Sequence, residues 1–429
     1  MIVIKGGRIL DPNSNTDTIA DILIAHGKIQ KISKDINVTG ANVICGSEKI
    51  IVPGFVDAHV HLREPGYEYK ESIRTGTTAA AVGGFTTVAC MPNTKPAIHS
   101  REIVEYVIDK AKREGFVNVL PIGSITMDIE GQRLSEIGAM VKAGIVAISD
   151  DGKTSMDIRI MEEAFQTAKK YNIPLIDHCE DHYLAVDGSI NEGEAVDRTG
   201  LKGISSEAEW SIVERDINLS KIYGTHIHIA HVSTRKSVEL IRKAKEQGIN
   251  ISCEVCPHHF TLNDEIVQRD KTETKVNPPL RSSKDVNAII EGIIDGTIDI
   301  IATDHAPHDE MSKALDYENA PFGISGLETA FSISYTELVE KNKINLSYLI
   351  EMMTIRPAKI LNIKKGSLVV GSDADITIID LNETGYIDSS TFLSMGKNTP
   401  FNGKWIRGKV VTTMVNGKIV MDGGNIICS

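Results

Sequence analysis

Between residues 53 and 306 the chain alternates apolar runs, rich in Val and Ile, with amphipathic stretches. Four such stretches place apolar residues at helical spacing and have Gly or Asn near their ends: "REIVEYVIDKAKREG", "IRIMEEAFQTAKKYN", "KSVELIRKAKEQG" and "SKDVNAIIEGIIDG". Apolar strands that alternate with helices predict a parallel sheet covered on both faces. Eight such units over about 250 residues predict a closed (β/α)8 barrel, with an open doubly wound sheet as the alternative. The eight runs are "IIVPGFVDAHVHL", "FTTVACMPN", "NVLPIGSIT", "GIVAISDDG", "IPLIDHCED", "THIHIAHVS", "INISCEVCPHH" and "IDIIATDHAPH".

The two ends of the chain have a different pattern. Residues 1–52 and 365–429 contain short alternating segments separated by turn signals, and "HGK" and "NGK" predict hairpin turns. Neither piece is long enough to bury a core alone. We therefore expect one small β-sandwich domain, built from both ends, beside a barrel that occupies residues 53–364.

Composition narrows the classes of partner. The formal net charge of −12 argues against binding to nucleic acid or to an anionic membrane, both of which require basic surface. The first residues lack the features of a signal peptide, and no apolar run reaches the roughly 18 residues of a membrane span, so we expect a cytoplasmic protein.

The six cysteines are scattered and form no disulfide pattern, so most are expected to stay reduced. Cys253 and Cys256 form a CxxC that, with His258 and His259, could hold a structural zinc ion. Because there is no second CxxC, buried strand cysteines are the preferred interpretation.

Polar residues cluster where the predicted barrel strands end, which is the edge at which such barrels carry their chemistry. Separate burial of so many ions and imidazoles would be costly, so we expect them to share ligands. Because side chains alternate along a strand, His59, His61 and Arg63 should project from one face. His and Asp ligands suggest Zn²⁺, and their number suggests two ions that share a hydroxide. The cluster comprises His59 and His61; Asp150 and Asp151; Asp177, His178 and Glu180; His226, His228 and His231; and Asp304, His305 and His308.

Eight motifs in order along the chain carry a family resemblance: "DAHVHLREPG", "MPNT", "SDDG", "IDHCED", "AHVST", "CPHH", "KVNPPLR" and "ATDHAPH". Together they resemble the amidohydrolase superfamily, and specifically the shorter, bacterial class I dihydroorotases. The resemblance implies reversible cyclisation of N-carbamoyl-L-aspartate to L-dihydroorotate, with loss of water, in de novo pyrimidine (UMP) biosynthesis. It also implies a binuclear zinc centre with a bridging hydroxide.

The resemblance assigns the site residue by residue. It places His59, His61 and Asp304 on one Zn²⁺, His178 and His231 on the other, and Asp151 between them. Strand alternation does not separate His228 from His231, and the resemblance selects His231. Asp304 is also the implied catalytic proton shuttle. The implied substrate-binding residues are His61, Arg63, Asn93, Asn277 and His308, with backbone groups of Phe322 and Gly323.

Several alternatives stay open at this point. Many relatives bridge their metals with a carboxylated lysine, whereas this chain offers Asp151, with Lys153 as a less favoured bridge. The missing lysine argues against an allantoinase or hydantoinase. A non-catalytic scaffold for aspartate transcarbamoylase should have lost metal ligands, yet all six positions are filled.

We expect a small-molecule substrate, a homodimer, a possible association with aspartate transcarbamoylase, and a mobile active-site loop at residues 308–329.

Overall fold

The computed structural model describes residues 1–427 as alternating strands and helices flanked by strands from both chain ends. The strands are β1 (Ile2–Asp11), β2 (Thr16–Ala25), β3 (Lys28–Ser33), β4 (Asn42–Cys45), β5 (Ile50–Pro53), β6 (Phe55–Val60), β7 (Phe85–Cys90), β8 (Asn118–Pro121), β9 (Leu175–Asp177), β10 (Ile190–Asn191), β11 (Gly203–Ile204), β12 (Ile227–Ile229), β13 (Ile251–Val255), β14 (Ile300–Ile301), β15 (Ile376–Tyr386), β16 (Trp405–Val415), β17 (Lys418–Asp422) and β18 (Asn425–Ile426). The α-helices are α1 (Ile73–Val82), α2 (Arg101–Glu114), α3 (Ile137–Ala143), α4 (Ile158–Tyr171), α5 (Glu194–Thr199), α6 (Glu207–Tyr223), α7 (Arg235–Glu246), α8 (Pro257–Thr261), α9 (Ser283–Ile294), α10 (Glu310–Lys313), α11 (Ala330–Ser334), α12 (Leu346–Met353) and α13 (Ile355–Ile360). The amphipathic stretches predicted from periodicity correspond to α2, α4, α7 and α9.

The central strands form a closed parallel barrel. Strands β6, β7 and β8 pair in parallel, as do β9, β12, β13 and β14. The fourth apolar run contributes only Ile148, whose parallel bridges to Gly123 and Leu175 join the two sets. A parallel bridge between Val60 and His305 closes the ring. The predicted (β/α)8 barrel is therefore confirmed, and the open doubly wound sheet is wrong.

Strands from both chain ends form a second, nine-stranded sheet in the order β18-β17-β16-β15-β5-β1-β2-β3, with β4 on β1. The predicted hairpins at 26–27 and 416–417 are confirmed, and His26, Gly27, Asn416 and Gly417 all have positive φ, as two-residue hairpin turns require. Buried residues from β1, β2, β3, β5, β15 and β16 share one apolar cluster, so the sheet encloses a core as a β-sandwich does.

The sheet also packs against the barrel. Leu10, Val52 and Val410 belong to the large apolar cluster that includes Phe55 and Phe85 of the barrel strands. The end sheet therefore packs against the side of the barrel that contains β6 and β7. Within residues 1–427, no helix combines the length and apolar character needed to cross a membrane.

The segment between β15 and β16 packs on the barrel beside the ends of the last strands. Ile387, Phe392 and Phe401 share a buried apolar cluster with Tyr317 and Ile324. Residues 387–404 therefore reach from the end sheet to the rim where the predicted site lies.

Candidate active site

Asp151 lies among four of the predicted histidine ligands. Its Oδ1 atom is 3.2 Å from His59 Nε2 and 3.8 Å from both His178 Nδ1 and His231 Nε2, while Oδ2 is 3.5 Å from His61 Nε2. The five residues are all buried, and they form two groups that share Asp151, each with its ligand atoms within 4.8 Å of one another. The arrangement suits two cations bridged by one carboxylate.

Asp304 lies beside the first of these groups. Its Oδ1 atom is 3.0 Å from His61 Nε2 and 3.5 Å from His59 Nε2. Burial alone would raise the pKa of the Asp304 carboxyl, but the charges and hydrogen bonds of His59 and His61 outweigh burial and lower that pKa below its ordinary value. Asp304 is therefore ionised at neutral pH and available to accept a proton.

The hydrogen-bond pattern around His59 fits a bound cation. His59 Nδ1 lies 2.6 Å from Glu254 Oε1, and because a carboxylate only accepts, Nδ1 carries a hydrogen and donates it. His59 Nε2 and Asp151 Oδ1 face each other, and within residues 1–427 neither buried atom has a hydrogen-bond partner. Two facing acceptors in a buried site repel each other unless a cation or proton lies between them. The donor set of imidazoles and carboxylates is one that Zn²⁺ accepts.

Glu254, on β13, supports the histidines and was missed by the sequence analysis. Its Oε2 atom accepts from His228 Nε2 at 3.1 Å, and its Oε1 atom also accepts from the backbone N–H of His231. Burial opposes ionisation of Glu254, but its contacts with His59 and His228 prevail and lower its pKa to about 2. The feature of the sequence that could have identified Glu254 is its place as an acidic residue inside the apolar run "INISCEVC".

Three site residues adopt left-handed backbone immediately beyond their strands: Arg63 (φ 60°), His231 (φ 30°) and Asp304 (φ 45°). Such φ values are uncommon for residues other than glycine and collect at functional sites. The expectation that Arg63 continues the strand face of His59 and His61 is wrong, because β6 ends at Val60 and the chain then turns. The turn nevertheless brings Arg63 to the same cavity.

A cavity of about 170 Å³ opens beside the histidine and aspartate groups. Asn93 orders one wall, since its Oδ1 atom lies 2.9 Å from His61 Nδ1 and its Nδ2 donates to Asp151 Oδ2. Asn277 also lines the cavity, and its Nδ2 lies 3.3 Å from His178 Nε2. The lining residues are His61, Arg63, Asn93, Asp151, Gly152, His178, His231, Asn277, Asp304, Ala306, Phe322 and Gly323. The structure thus brings together most of the predicted site residues.

His308 lies behind Arg63. Its Nε2 is 2.8 Å from the carbonyl oxygen of Phe322, so this nitrogen donates and carries the hydrogen. Burial, together with the charge of Arg63, lowers the pKa of His308 to about 2, so the ring is neutral. The Arg63 guanidinium, 3.2 Å away, cannot donate to a nitrogen that is itself a donor, so it keeps hydrogen-bond capacity for an anionic ligand.

The backbone of Phe322 and Gly323 forms a close wall of the cavity. Gly323 has φ 123°, and a Cβ atom there would come within 2.7 Å of Ala306, so only glycine fits. Its N–H already donates to the carbonyl of Lys275. Asn398, which the sequence analysis missed, accepts from the N–H of His308 and donates to the carbonyl of Gly323.

The remaining candidates lie outside the ligand set. Asp150 accepts from Thr126, while Asp177 pairs with Arg215. His226 bonds Ser252, Glu180 lines a neighbouring cavity, and His305 pairs with Glu71. Lys153, the alternative bridge, is exposed.

The CxxC does not act as one unit. Cys253 Sγ donates to the carbonyl of Thr297, whereas Cys256 gathers with His258 and His259. His259 Nε2 donates to the carbonyl of Pro278. Five cysteines are free thiols, and Cys428 lies outside the described residues.

Comparison with known proteins agrees with this architecture. A family model described as dihydro-orotase-like matches residues 48–237, and one described as amidohydrolase family matches residues 213–421. The dihydroorotase of Acetivibrio thermocellus is 50% identical, over 98% of this chain and 99% of that protein. That of Caldanaerobacter subterraneus subsp. tengcongensis is 51% identical, over 97% and 96%. The solved L-hydantoinase (dihydropyrimidinase) of Arthrobacter aurescens has a TM-score of 0.88 at 28% identity and covers 100% of this chain and 97% of its own.

The closed barrel, the flanking sheet and the histidine and aspartate cluster at the strand ends define a protein of the amidohydrolase superfamily. Within that superfamily, the chain belongs to the dihydroorotase family.

Proposed function

We propose that the protein catalyses the reversible interconversion of L-dihydroorotate and N-carbamoyl-L-aspartate in pyrimidine biosynthesis. The observation that carries the proposal is the cavity in which Arg63 and two asparagines face the shared carboxylate of Asp151. A substrate with a carboxylate and a cyclic amide needs both a cationic anchor and a group of ligands that activates the amide. The 50% identity to dihydroorotases over nearly the whole chain supports the same substrate.

We infer that two Zn²⁺ ions belong to this site. His59, His61 and Asp304 would hold one, His178 and His231 the other, and Asp151 both. When bound, the ions supply positive charge that polarises the scissile carbonyl and makes water a stronger nucleophile at neutral pH. The facing acceptors His59 Nε2 and Asp151 Oδ1 support this inference.

Four residues would orient the substrate: Arg63, Asn93, Asn277 and His308. Arg63 offers donors in a planar fork that matches the carboxylate which remains outside the ring in both substrate and product. Because Asn93 and Asn277 also touch His61 and His178, they set the distance between the anchored carboxylate and the reacting amide. An anchored substrate reacts as part of a single preorganised complex.

Asp304 moves the proton. In hydrolysis, water oxygen adds to the ring carbonyl carbon and the carbon–nitrogen bond breaks, so the carbonyl becomes a carboxylic acid, which ionises to a carboxylate by losing its proton to solvent. Asp304 takes a proton from the attacking water and gives it to the departing ring nitrogen, and cyclisation reverses these transfers. Its lowered pKa keeps the Asp304 carboxyl ionised at neutral pH, which a group that accepts a proton at the start of hydrolysis must be.

A hydantoinase is the alternative function, since a hydantoinase has the same fold. That protein is only 28% identical, whereas the dihydroorotases are about half identical. The position of Asp151 between the two histidine groups supports a carboxylate bridge, and Lys153 is exposed, which does not suit a lysine bridge.

Turnover of dihydroorotate, hydantoin and allantoin by the metal-loaded protein tests the proposal. We expect hydrolysis of dihydroorotate at a kcat/KM at least 100-fold above the other two. Preferred turnover of hydantoin or allantoin would overturn it, as would no turnover of any of the three.

We also propose a cytoplasmic location, a homodimer and a possible association with aspartate transcarbamoylase. Five free thiols within residues 1–427, which are typical of a reducing compartment, support the first. The other two stay predictions, and sedimentation of the protein alone and mixed with the transcarbamoylase tests them.

A further inference from the structure

Two buried lysines contact the segment that forms the Phe322–Gly323 wall. Lys275 and Lys313 are 3% and 6% exposed. Lys275 Nζ donates to the carbonyls of Tyr317 and Glu318, at 2.7 and 3.0 Å. Lys313 Nζ donates to the carbonyls of Pro321 and Gly323, at 3.1 and 3.2 Å. Four carbonyls from seven consecutive residues are thus held by two ammonium groups.

Further contacts join Lys275 to the same wall. Its backbone carbonyl accepts from Gly323 N–H at 2.9 Å, and its ammonium lies 4.5 Å from the centre of the Phe322 ring. Lys275 also lines an outer cavity of about 560 Å³ that shares Asn277 and Phe322 with the inner cavity. It therefore lies where the outer cavity adjoins the inner one.

The lysines are unusual because their partners are neutral. Within residues 1–427, neither ammonium forms an ion pair with a carboxylate, although Glu273, Asp316 and Glu318 lie near enough to affect their pKa values. Burying an ammonium on carbonyl oxygens alone is costly, so a purely structural role would be served better by neutral residues.

We propose that Lys275 and Lys313 are positioning residues that hold residues 317–323 against the cavity, so that the substrate-binding wall is formed before the substrate arrives. The retained positive charge adds attraction for N-carbamoyl-L-aspartate, which carries two carboxylates. This inference rests on the proposed function, and it replaces the expected mobile loop with a wall that is fixed in the free protein.

Hydrogen exchange of the unmodified, ligand-free protein is the first test. Amides of residues 317–323 should exchange at least 10-fold more slowly than those of the exposed residues 182–184 and 186–187, because the wall should open only when both ammonium contacts break. Equally fast exchange in the two segments would overturn the proposal, whether or not any variant folds and whether or not the protein acts on dihydroorotate.

Lys275→Met and Lys313→Met then remove each ammonium while keeping most of the stem. We expect KM for N-carbamoyl-L-aspartate to rise at least 10-fold with a smaller change in kcat, and protease cleavage within 314–323 to accelerate. Metal content should stay unchanged. Lys202→Met is the matched control, because Lys202 lines the same outer cavity but pairs with Asp187 at the surface.

The two readouts separate the possible failures. A faster-cleaved wall with unchanged KM would overturn the link to substrate binding, and a raised KM without faster cleavage would overturn the positioning role. If the unmodified protein has no dihydroorotase activity but residues 314–323 of the variants are cleaved faster by protease, the proposed function is wrong while the positioning role of the two lysines is supported.

Discussion

His59 and Glu254 form a buried pair, with His59 Nδ1 2.6 Å from Glu254 Oε1 although the residues are 195 positions apart in the chain. The contact fixes the ring so that Nε2 faces Asp151 and Asp304. The same carboxylate accepts from His228 and from the backbone of His231. One side chain of β13 therefore orients ligands of both proposed metal ions.

Glu254→Gln should weaken metal binding without unfolding the protein. The amide can still accept from one histidine, but it cannot match the carboxylate toward both, and loss of such support typically weakens metal affinity about 10- to 100-fold. Competition of the apoprotein with a chromophoric chelator measures the change. Glu246→Gln, on the exposed end of α7, is the control, and equal affinity in both variants would contradict the role of Glu254.

Zinc titration of the apoprotein should reach about two ions per chain, because the ligand set suits a two-metal site. His178→Ala should retain about one ion, since it removes a ligand of only one group. Asp151→Ala should weaken both steps, since Asp151 belongs to both groups. Full activity with a single bound ion would show that the two-ion assignment is incorrect.

Arg63→Met should lower kcat/KM for dihydroorotate on the order of 100-fold, because loss of a buried charged partner costs about 2–5 kcal/mol. Metal content and melting temperature should stay close to those of the unmodified protein. Arg159→Met is the control, since that side chain is 84% exposed on α4. Unchanged kcat/KM in Arg63→Met would mean that another residue anchors the carboxylate.

The helices and hairpins of the fold were predictable from sequence because each follows a local pattern of residue types. The helices α2, α4, α7 and α9 follow apolar spacing, and the hairpins at 26–27 and 416–417 follow turn residues that tolerate positive φ. The histidine and aspartate cluster was predictable because the strands of a parallel barrel all end at one rim.

The remaining features depend on contacts that no local pattern encodes. Strand alternation misplaces Arg63 and does not select His231 over His228, because the chain turns with left-handed backbone at Arg63 and at His231, just beyond their strands. Glu254 meets His59 only once the barrel closes, and Asn398 reaches His308 only because residues 387–404 pack on the barrel. The fourth strand shrinks to a bridge at Ile148 although its sequence is as apolar as its neighbours.

Glu328 should make stability depend on pH. Burial raises its pKa from 4.5 to about 7, while its carboxyl accepts from the backbone of Leu393 and Ser394. Below pH 4.5 both folded and unfolded states hold the proton. Between pH 4.5 and 7 only the folded state does, so the free energy of unfolding falls as pH rises, and above pH 7 the penalty is constant.

Glu328→Gln keeps an acceptor for the two N–H groups but cannot ionise. Its melting temperature relative to the unmodified protein should therefore be more favourable at pH 8 than at pH 5. A difference in melting temperature that is the same at both pH values would contradict the raised pKa.

Asp304→Asn separates the two roles assigned to Asp304. An amide oxygen can still coordinate a metal ion, so saturating zinc should restore two-ion occupancy. The amide cannot accept the proton, so kcat should stay depressed by a factor on the order of 10² or more, as loss of a general acid–base group usually produces. Asp295→Asn, at the surface beside Arg242, should leave kcat unchanged. In the unmodified protein, kcat/KM for dihydroorotate should fall on the acid side as the proton-accepting assembly of Asp304 and the bridging hydroxide is protonated as a coupled unit. Because the neighbouring imidazoles lower the pKa of Asp304, this fall should lie below neutral pH, and a fully loaded Asp304→Asn protein with normal kcat would rule out the proton transfer.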